Sequence, residues 1–204
     1  MAPSLVPFGK PRAERADAAR NRERLLETAR EMIAEQGVAR VTMDALAERA
    51  GLGKGTVFRR FGCRAGIFRA LLEDDESRFQ EQVMSGPPPL GPGAGPVERL
   101  IAYGRARIPF LLHHQDIARA ALDPGQPVPE GEVNMTRLHV RVLLGQACPE
   151  LPEPDSLALQ LAAALEGPLL LYFSERAPAT PLPPAAGLHL ADSWQALIER
   201  VVRP

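Results

Sequence analysis

Between residues 42 and 61, helical periodicity is broken once, at Gly51, and resumes within three residues. Thr42 suits an N-cap, since its hydroxyl can accept from an exposed N–H of a first helical turn. Asp44 follows in that turn, where the helix dipole favours negative charge. Met43, Leu46, Ala47 and Ala50 then recur at helical spacing, with Glu48 and Arg49 opposite. Gly51 can stop such a helix in the left-handed conformation. Ala47 is small enough to let a second helix cross closely, and Leu52 can plug the turn. A second run over 54–61 turns Val57 and Phe61 inward and leaves Lys54, Gly55, Thr56, Arg59 and Arg60 outward. Two short helices about a glycine turn, the second of them basic, make the pattern of a helix-turn-helix, whose second helix suits the major groove of double-stranded DNA. Gly55 would let the backbone come close to a phosphate, and the helix N-terminus favours an anion. An ordinary helical hairpin with a solvated basic face would carry the same residues, so the flanking elements decide.

Upstream, residues 20–36 carry Leu25, Leu26, Ala29, Met32 and Ile33 as one apolar stripe, ended by Gly37. Downstream, Ile67, Phe68, Leu71 and Leu72 predict a fourth helix that begins near Arg64 and fades into Glu73-Asp74-Asp75-Glu76. The order is helix, helix, turn, short helix, long helix. With Ala29-x3-Ile33-x3-Gly37, Thr42-Met43-x2-Leu46-Ala47-x2-Ala50-Gly51-Leu52 and Lys54-Gly55-Thr56-Val57-Phe58-x2-Phe61, the chain resembles the TetR family of transcriptional regulators over roughly residues 18–80. The resemblance implies a homodimer whose N-terminal domain reads DNA and whose C-terminal domain binds a small molecule and dimerises. It places Thr42 at a phosphate contact and Lys54, Gly55 and Thr56 at the start of the recognition helix, with Arg59 on its outward face. Phe58 stands where the family usually has a tyrosine whose hydroxyl reaches a phosphate; phenylalanine lacks that group, and its ring is expected to pack. Arg60 replaces a common His or Tyr and could take over the phosphate contact; Arg64 matches a common Lys at the start of the fourth helix and is expected to carry part of the DNA contact. Cys63 replaces a capping Ser, Asn or Asp, and sulfur is a weak acceptor.

The chain's net charge of -1 conceals a split. Residues 1–70 hold 14 Lys+Arg against 8 Asp+Glu, and residues 71–204 hold 10 against 17. A basic N-terminal part on an acidic remainder fits a nucleic-acid module joined to a module that does not bind it. Residues 1–17 are expected to be a disordered arm, 18–84 the DNA-binding domain with its helix-turn-helix at 42–61, and 85–204 a helical ligand-binding and dimerisation domain, making an all-α protein. The first 19 residues lack the apolar core of a secretory signal, and Cys63 and Cys148 have neither metal nor redox spacing, so a reduced, cytoplasmic protein is expected.

Residues 85–96, rich in Pro and Gly, can only be a loop. Helical patterns follow at 97–114, 116–122, 132–147, 157–173 and 191–202, the third with Met135, Leu138 and Val142 as its apolar stripe. The 157–173 run is apolar almost all round, yet too short and interrupted to span a membrane. A helix apolar on all sides must be buried on all sides, which pairing with a second copy achieves. The family's last two helices pair across the dimer, and Leu161, Leu165, Leu169, Trp194, Leu197 and Val201 are the expected interface residues. Pro168 should kink the helix near Ala164, with Glu166 at an interface edge or a pocket wall. Tyr103, Arg107, Phe110 and His114 share one helix face and, with His139 and Tyr172, are the candidate contacts for a mostly apolar small-molecule ligand.

No nucleophile motif, metal-ligand spacing or phosphate loop is evident, so neither an enzyme nor a cofactor is expected. The expected function is a DNA-binding regulator, a repressor released by its ligand. The alternative is a family member that has lost specific DNA binding and serves as a ligand-binding or interaction module.

Overall fold

The structure is a computed structural model that describes residues 12–122, 135–174 and 184–202, with side chains at 17–122, 135–167 and 187–202. The chain falls into two compact units, Met1–Leu71 and Leu72–Pro204. Among the described residues there are helices and no strand, as the sequence patterns require.

In the first unit, α1 (Arg12–Gln36) leads through a 3-10 turn (Val38–Arg40) to α2 (Met43–Ala50) and α3 (Lys54–Phe61). Helix α1 begins eight residues before the apolar stripe predicts, because Ala13, Ala16, Ala18 and Ala19 with Glu14 and Arg15 are strong helix formers that need no apolar face. Helix α2 is capped at both ends as its residues dictate. Thr42 Oγ1 accepts from the Ala45 N–H at 3.1 Å, and Gly51 sits at φ 63°, where its N–H closes onto Ala47 and Glu48. Leu25, Leu26 and Ala29 of α1, Leu46 and Ala47 of α2, Val57 of α3, and Ile67, Phe68 and Leu71 are all buried, and α2 packs on both α1 and α3. Arg49 clamps α2 to α1, with Glu35 at 2.5 Å and Glu31 at 3.4 Å. The Arg49 guanidinium holds the Glu35 carboxyl below its ordinary range.

Helix α4 (Arg64–Ser85) does not fade at its acidic run but continues for nine more residues. Two facts explain this. Phe79 and Val83, one turn apart, are buried in the second core. The carboxylates are partnered: Asp74 with Arg78 at 3.1 Å, Asp75 with His114 at 3.1 Å and Glu76 with Arg107 at 2.5 Å. The acidic run reads as solvated only if Arg107 and His114, 31 and 39 residues beyond their partners, are out of sight.

The second unit adds α5 (Pro96–His113), α6 (Gln115–Ala121), α7 (Met135–Ala147), α8 (Pro154–Ser174) and α9 (Pro184–Val201), with α5 packed between α9, α7 and α8. The expected stripe of α7 is corrected. Met135, Leu138 and Val142 are exposed, and Thr136, His139, Val140, Leu143 and Leu144 face inward. Two apolar stripes run along this helix, and periodicity alone does not choose between them. Helix α8 passes through Pro168 without ending.

Helices α5 and α9 meet at one close contact. Trp194 lies against Gly104, and its Nε1–H donates to the Leu100 carbonyl at 2.9 Å. A Cβ on Gly104 would stand 2.1 Å from that Nε1. Gly104→Ala is therefore expected to destabilise the protein by about 1–3 kcal/mol in urea unfolding, as overpacked cores do; an unchanged midpoint would contradict the contact.

His139 gives a second test. It is 9% exposed, and desolvation, then the Arg99 charge, lower its pKa from 6.5 to about 4. The unfolded chain takes up a proton near pH 6.5 that the folded chain refuses until about pH 4. Stability is therefore full above pH 6.5 and falls between 6.5 and 4, by up to roughly 3 kcal/mol from this group. His139→Leu should flatten that part of the pH–stability curve, and an identical slope in both proteins would refute the assignment.

Candidate nucleic-acid interface

Helix α3 is held by Val57 and Phe61, both buried, so its orientation is set by the core and its other residues face outward. Its N-cap, Gly53, supplies no side-chain hydrogen bond, which leaves the first N–H groups open to an external acceptor. Lys54, Gly55, Phe58, Arg59 and Arg60 are exposed and Thr56 is half-buried. Lys54 Nζ lies 2.9 Å from Asp44 Oδ1, both groups well exposed, so its ammonium leans toward α2.

Two predicted contacts take other positions. Phe58 does not pack: it is 64% exposed, because Val57 and Phe61 fill the inward face and leave the ring no place beside them. Arg64 is bound inside the unit. Its Nε and Nη2 donate to the carbonyls of Val41 and Val38, each at 2.7 Å, and its guanidinium lies over the Phe68 ring at 4.8 Å. It ties the start of α4 to the segment that precedes α2. Thr42 caps α2, and its hydroxyl hydrogen is still available to an acceptor outside. Beside Arg64, the Cys63 sulfur is 3.8 Å from Arg69 Nη2.

An open groove of about 360 Å³ runs between α1 and α3, lined by Ala18, Asn21, Arg22, Leu25, Thr56, Arg59 and Arg60. Three guanidinium groups and no carboxylate line it. Asn21 and Arg22 were not among the sequence candidates. The available signal was spacing: Ala18, Asn21 and Arg22 lie one and two turns before the core residue Leu25, on the face that α3 meets.

In the second unit, five of the six ligand candidates come together. The buried Tyr103 donates its hydroxyl hydrogen to Thr136 Oγ1 at 2.9 Å and stacks on His139 with ring centroids 4.8 Å apart. Burial raises the Tyr103 pKa. Arg107, 8% exposed, lies between Glu76 at 2.5 Å and Glu166 at 3.6 Å, with the Phe79 and Phe110 rings over its guanidinium at 5.5 and 5.1 Å. His114 faces the Phe110 carbonyl through Nδ1 and Asp75 through Nε2. Arg107 Nε and His139 Nε2 are buried without a hydrogen-bond partner. The sixth candidate, Tyr172, lies outside the described side chains.

The expected dimer contacts are placed differently from one another. Leu161, Leu165 and Trp194 are buried within the single chain, so they stabilise the subunit rather than an interface. Leu197 is 37% exposed, Val201 is half-buried, and Leu169 lies outside the described side chains. Among the described side chains of α8 and α9, the exposed apolar residues are Leu159, Ala163, Ala164, Leu188, Ala196 and Leu197. A cavity of about 80 Å³ opens among Ala164, Leu165, Leu190, Ser193, Trp194, Leu197 and Ile108.

Residues 25–71 match the model of the domain described as bacterial regulatory proteins, tetR family. The HTH-type transcriptional repressor AcnR of Corynebacterium glutamicum is 36% identical over 63 residues, covering 31% of this chain and 34% of that protein. An HTH-type transcriptional regulator of Staphylococcus aureus is 32% identical over 68 residues, covering 33% of this chain and 37% of that protein. The chain thus matches about a third of the length of these curated relatives. Among solved structures, a TetR-family transcriptional regulator from Pectobacterium atrosepticum shares the fold with a TM-score of 0.67 at 22% identity, over 95% of this chain and 96% of that one. SmeT in complex with triclosan does so with a TM-score of 0.53 at 21% identity, over 87% and 91%. Residues 25–71 therefore carry a domain similar to that of the tetR family of bacterial regulatory proteins, and the chain shares its helical fold nearly end to end with the Pectobacterium atrosepticum protein.

Proposed function

We propose that the chain is a cytoplasmic, homodimeric transcriptional regulator that represses from a near-palindromic operator and is released by a small molecule. One observation carries the DNA part: α3 and α1 together present Arg22, Arg59 and Arg60 around a groove without a carboxylate, beside a helix N-terminus with open N–H groups. Two such heads, set roughly 34–36 Å apart, would enter successive major grooves. Arg22 and Arg60 are assigned to backbone phosphates flanking the groove, and Lys54, Gly55, Thr56 and Arg59 to its floor and near wall. Thr42 is left for a phosphate at the start of α2. Arg64 acts indirectly, by holding the head together. Loss of DNA binding is disfavoured, since both caps of α2 and the inward anchors of α3 are intact.

The dimer reading rests on α8 and α9. Leu159, Leu188 and Leu197 leave apolar surface open on these two helices. A second copy against that face would bury it. The ligand reading rests on the Tyr103–Arg107–His139 cluster, where two buried polar atoms, Arg107 Nε and His139 Nε2, have no hydrogen-bond partner. A mostly apolar molecule with a hydrogen-bonding group would satisfy one of them. SmeT is a neighbour of this fold that holds triclosan, which supports a small-molecule role for the second unit. Glu76 of α4 touches this cluster while Ile67, Phe68 and Leu71 of the same helix lie in the head core. A ligand that binds two states of α4 unequally would shift DNA affinity by that difference.

The purified full-length chain should prefer DNA from upstream of its own gene over random DNA at moderate salt, and equal affinity would refute the regulator reading. Lys54→Ala with Arg59→Ala should abolish the preference while dimerisation persists. Arg22→Gln or Arg60→Gln should instead weaken binding to all sequences alike and lower the slope of log affinity against log salt by about 1. Leu197→Arg should convert the dimer to a folded monomer in light scattering, and an unchanged mass would exclude this face.

A further inference from the structure

We propose that Phe58 is a specificity-determining residue that reads the 5-methyl group of a thymine in the major groove. The assignment rests on the DNA-binding reading above and goes beyond it by naming what one side chain recognises.

Phe58 is the one large apolar side chain left exposed among the described residues of the head. Its neighbours Val57 and Phe61 are buried, so the helix cannot rotate to hide the ring without expelling them. Side chains on a helix lean toward its N-terminus, over the preceding turn. Here that turn is Lys54 and Gly55. Gly55 contributes no side chain, and beyond its chain neighbours and its own helix backbone nothing comes within 4 Å of where its Cβ would stand; Gly53 is likewise open beyond its chain neighbours. Neither glycine has a positive φ, so neither is required by the backbone or by internal packing. Lys54 is drawn aside onto Asp44. The start of α3 is therefore trimmed on the side exposed to solvent, and an aromatic ring stands behind the gap.

A phenyl ring has no hydrogen-bonding group, so it gains nothing from a phosphate oxygen or from the nitrogen and oxygen atoms on base edges. The apolar feature of the major groove is the thymine methyl, which phenylalanine is suited to meet. Contact removes apolar area of both partners from water. Insertion between base steps is the habit of side chains that enter from the minor groove, whereas α3 is a major-groove helix. A contact of the ring with a thymine methyl carries sequence information, which a contact to the DNA backbone does not.

Operator duplexes recovered from random DNA by the full-length chain provide the test. Each thymidine is replaced in turn by deoxyuridine, which removes only the methyl group. At one position in each half-site the replacement should weaken the wild-type protein by about fourfold, the size expected for one buried methyl. Phe58→Ala should bind the unmodified operator more weakly and be indifferent to deoxyuridine at that position. Phe58→Leu should retain part of the discrimination. The unfolding midpoint of Phe58→Ala should equal that of the wild type, which separates lost contact from lost fold. If an operator is recovered but no thymine shows a Phe58-dependent effect, the assignment of Phe58 falls and the regulator reading stands. If no preferred sequence is recovered, both fall together.

Discussion

Arg107 is a buried cation, and a buried guanidinium without carboxylates would be strongly destabilising. Its partners come from different helices, Glu76 from α4 and Glu166 from α8, while Phe79 of α4 and Phe110 of α5 lie against its faces. A single side chain thus brings three helices into register around polar contacts within an apolar core. Ion pairs of this kind contribute little net stability, yet they tolerate few alternatives, since moving either glutamate leaves a charge uncompensated. The acidic run of α4 follows from the same constraint. Asp75 and Glu76 are adjacent because His114 and Arg107 lie two turns apart along α5 and its C-cap.

What was legible in the sequence was local. Thr42, Gly51 and the stripe of α2 announce their structure because cap and period are properties of a few neighbouring residues. The convergence of Tyr103, Arg107, Phe110 and His114 was legible for the same reason, as steps of three and four on one helix. What escaped depends on partners distant in the chain. The acids of α4 look like a solvated end until Arg107 and His114 are placed beside them. Helix α7 carries two apolar stripes, and only its neighbours decide which is buried. Arg64 looks like a DNA contact until the carbonyls of Val38 and Val41 are seen to accept from it. Asn21 and Arg22 could not be assigned before α1 and α3 were known to flank one groove.

The head also separates its charges by role. Arg49 and Arg64 are structural cations, one closing α2 onto the carboxylates of α1, the other holding backbone carbonyls ahead of α2. Arg22, Arg59 and Arg60 have no carboxylate in their shared groove. Because Arg49 draws Glu31 and Glu35 together on one side of α1, two of the head's carboxylates are held by a structural cation rather than left free to repel a polyanion. A basic balance of modest size can then produce a strongly directional field.

That separation bears on how Phe58 came to be exposed. Lys54 is paired with Asp44, and Gly53 and Gly55 present only backbone, so the leading end of α3 offers less charge than its count of basic residues suggests. On the proposed assignment, electrostatic affinity would fall mainly to the side of Arg22 and Arg60, whose phosphate contacts would be insensitive to sequence. A head whose cations lie mostly on that side needs discrimination from uncharged contacts on the other. Thr56, the open N–H groups and the Phe58 ring are the uncharged groups α3 exposes there or along its start. These groups carry no formal charge and release no counterions, so discrimination between operators should persist at ionic strengths where overall affinity has fallen.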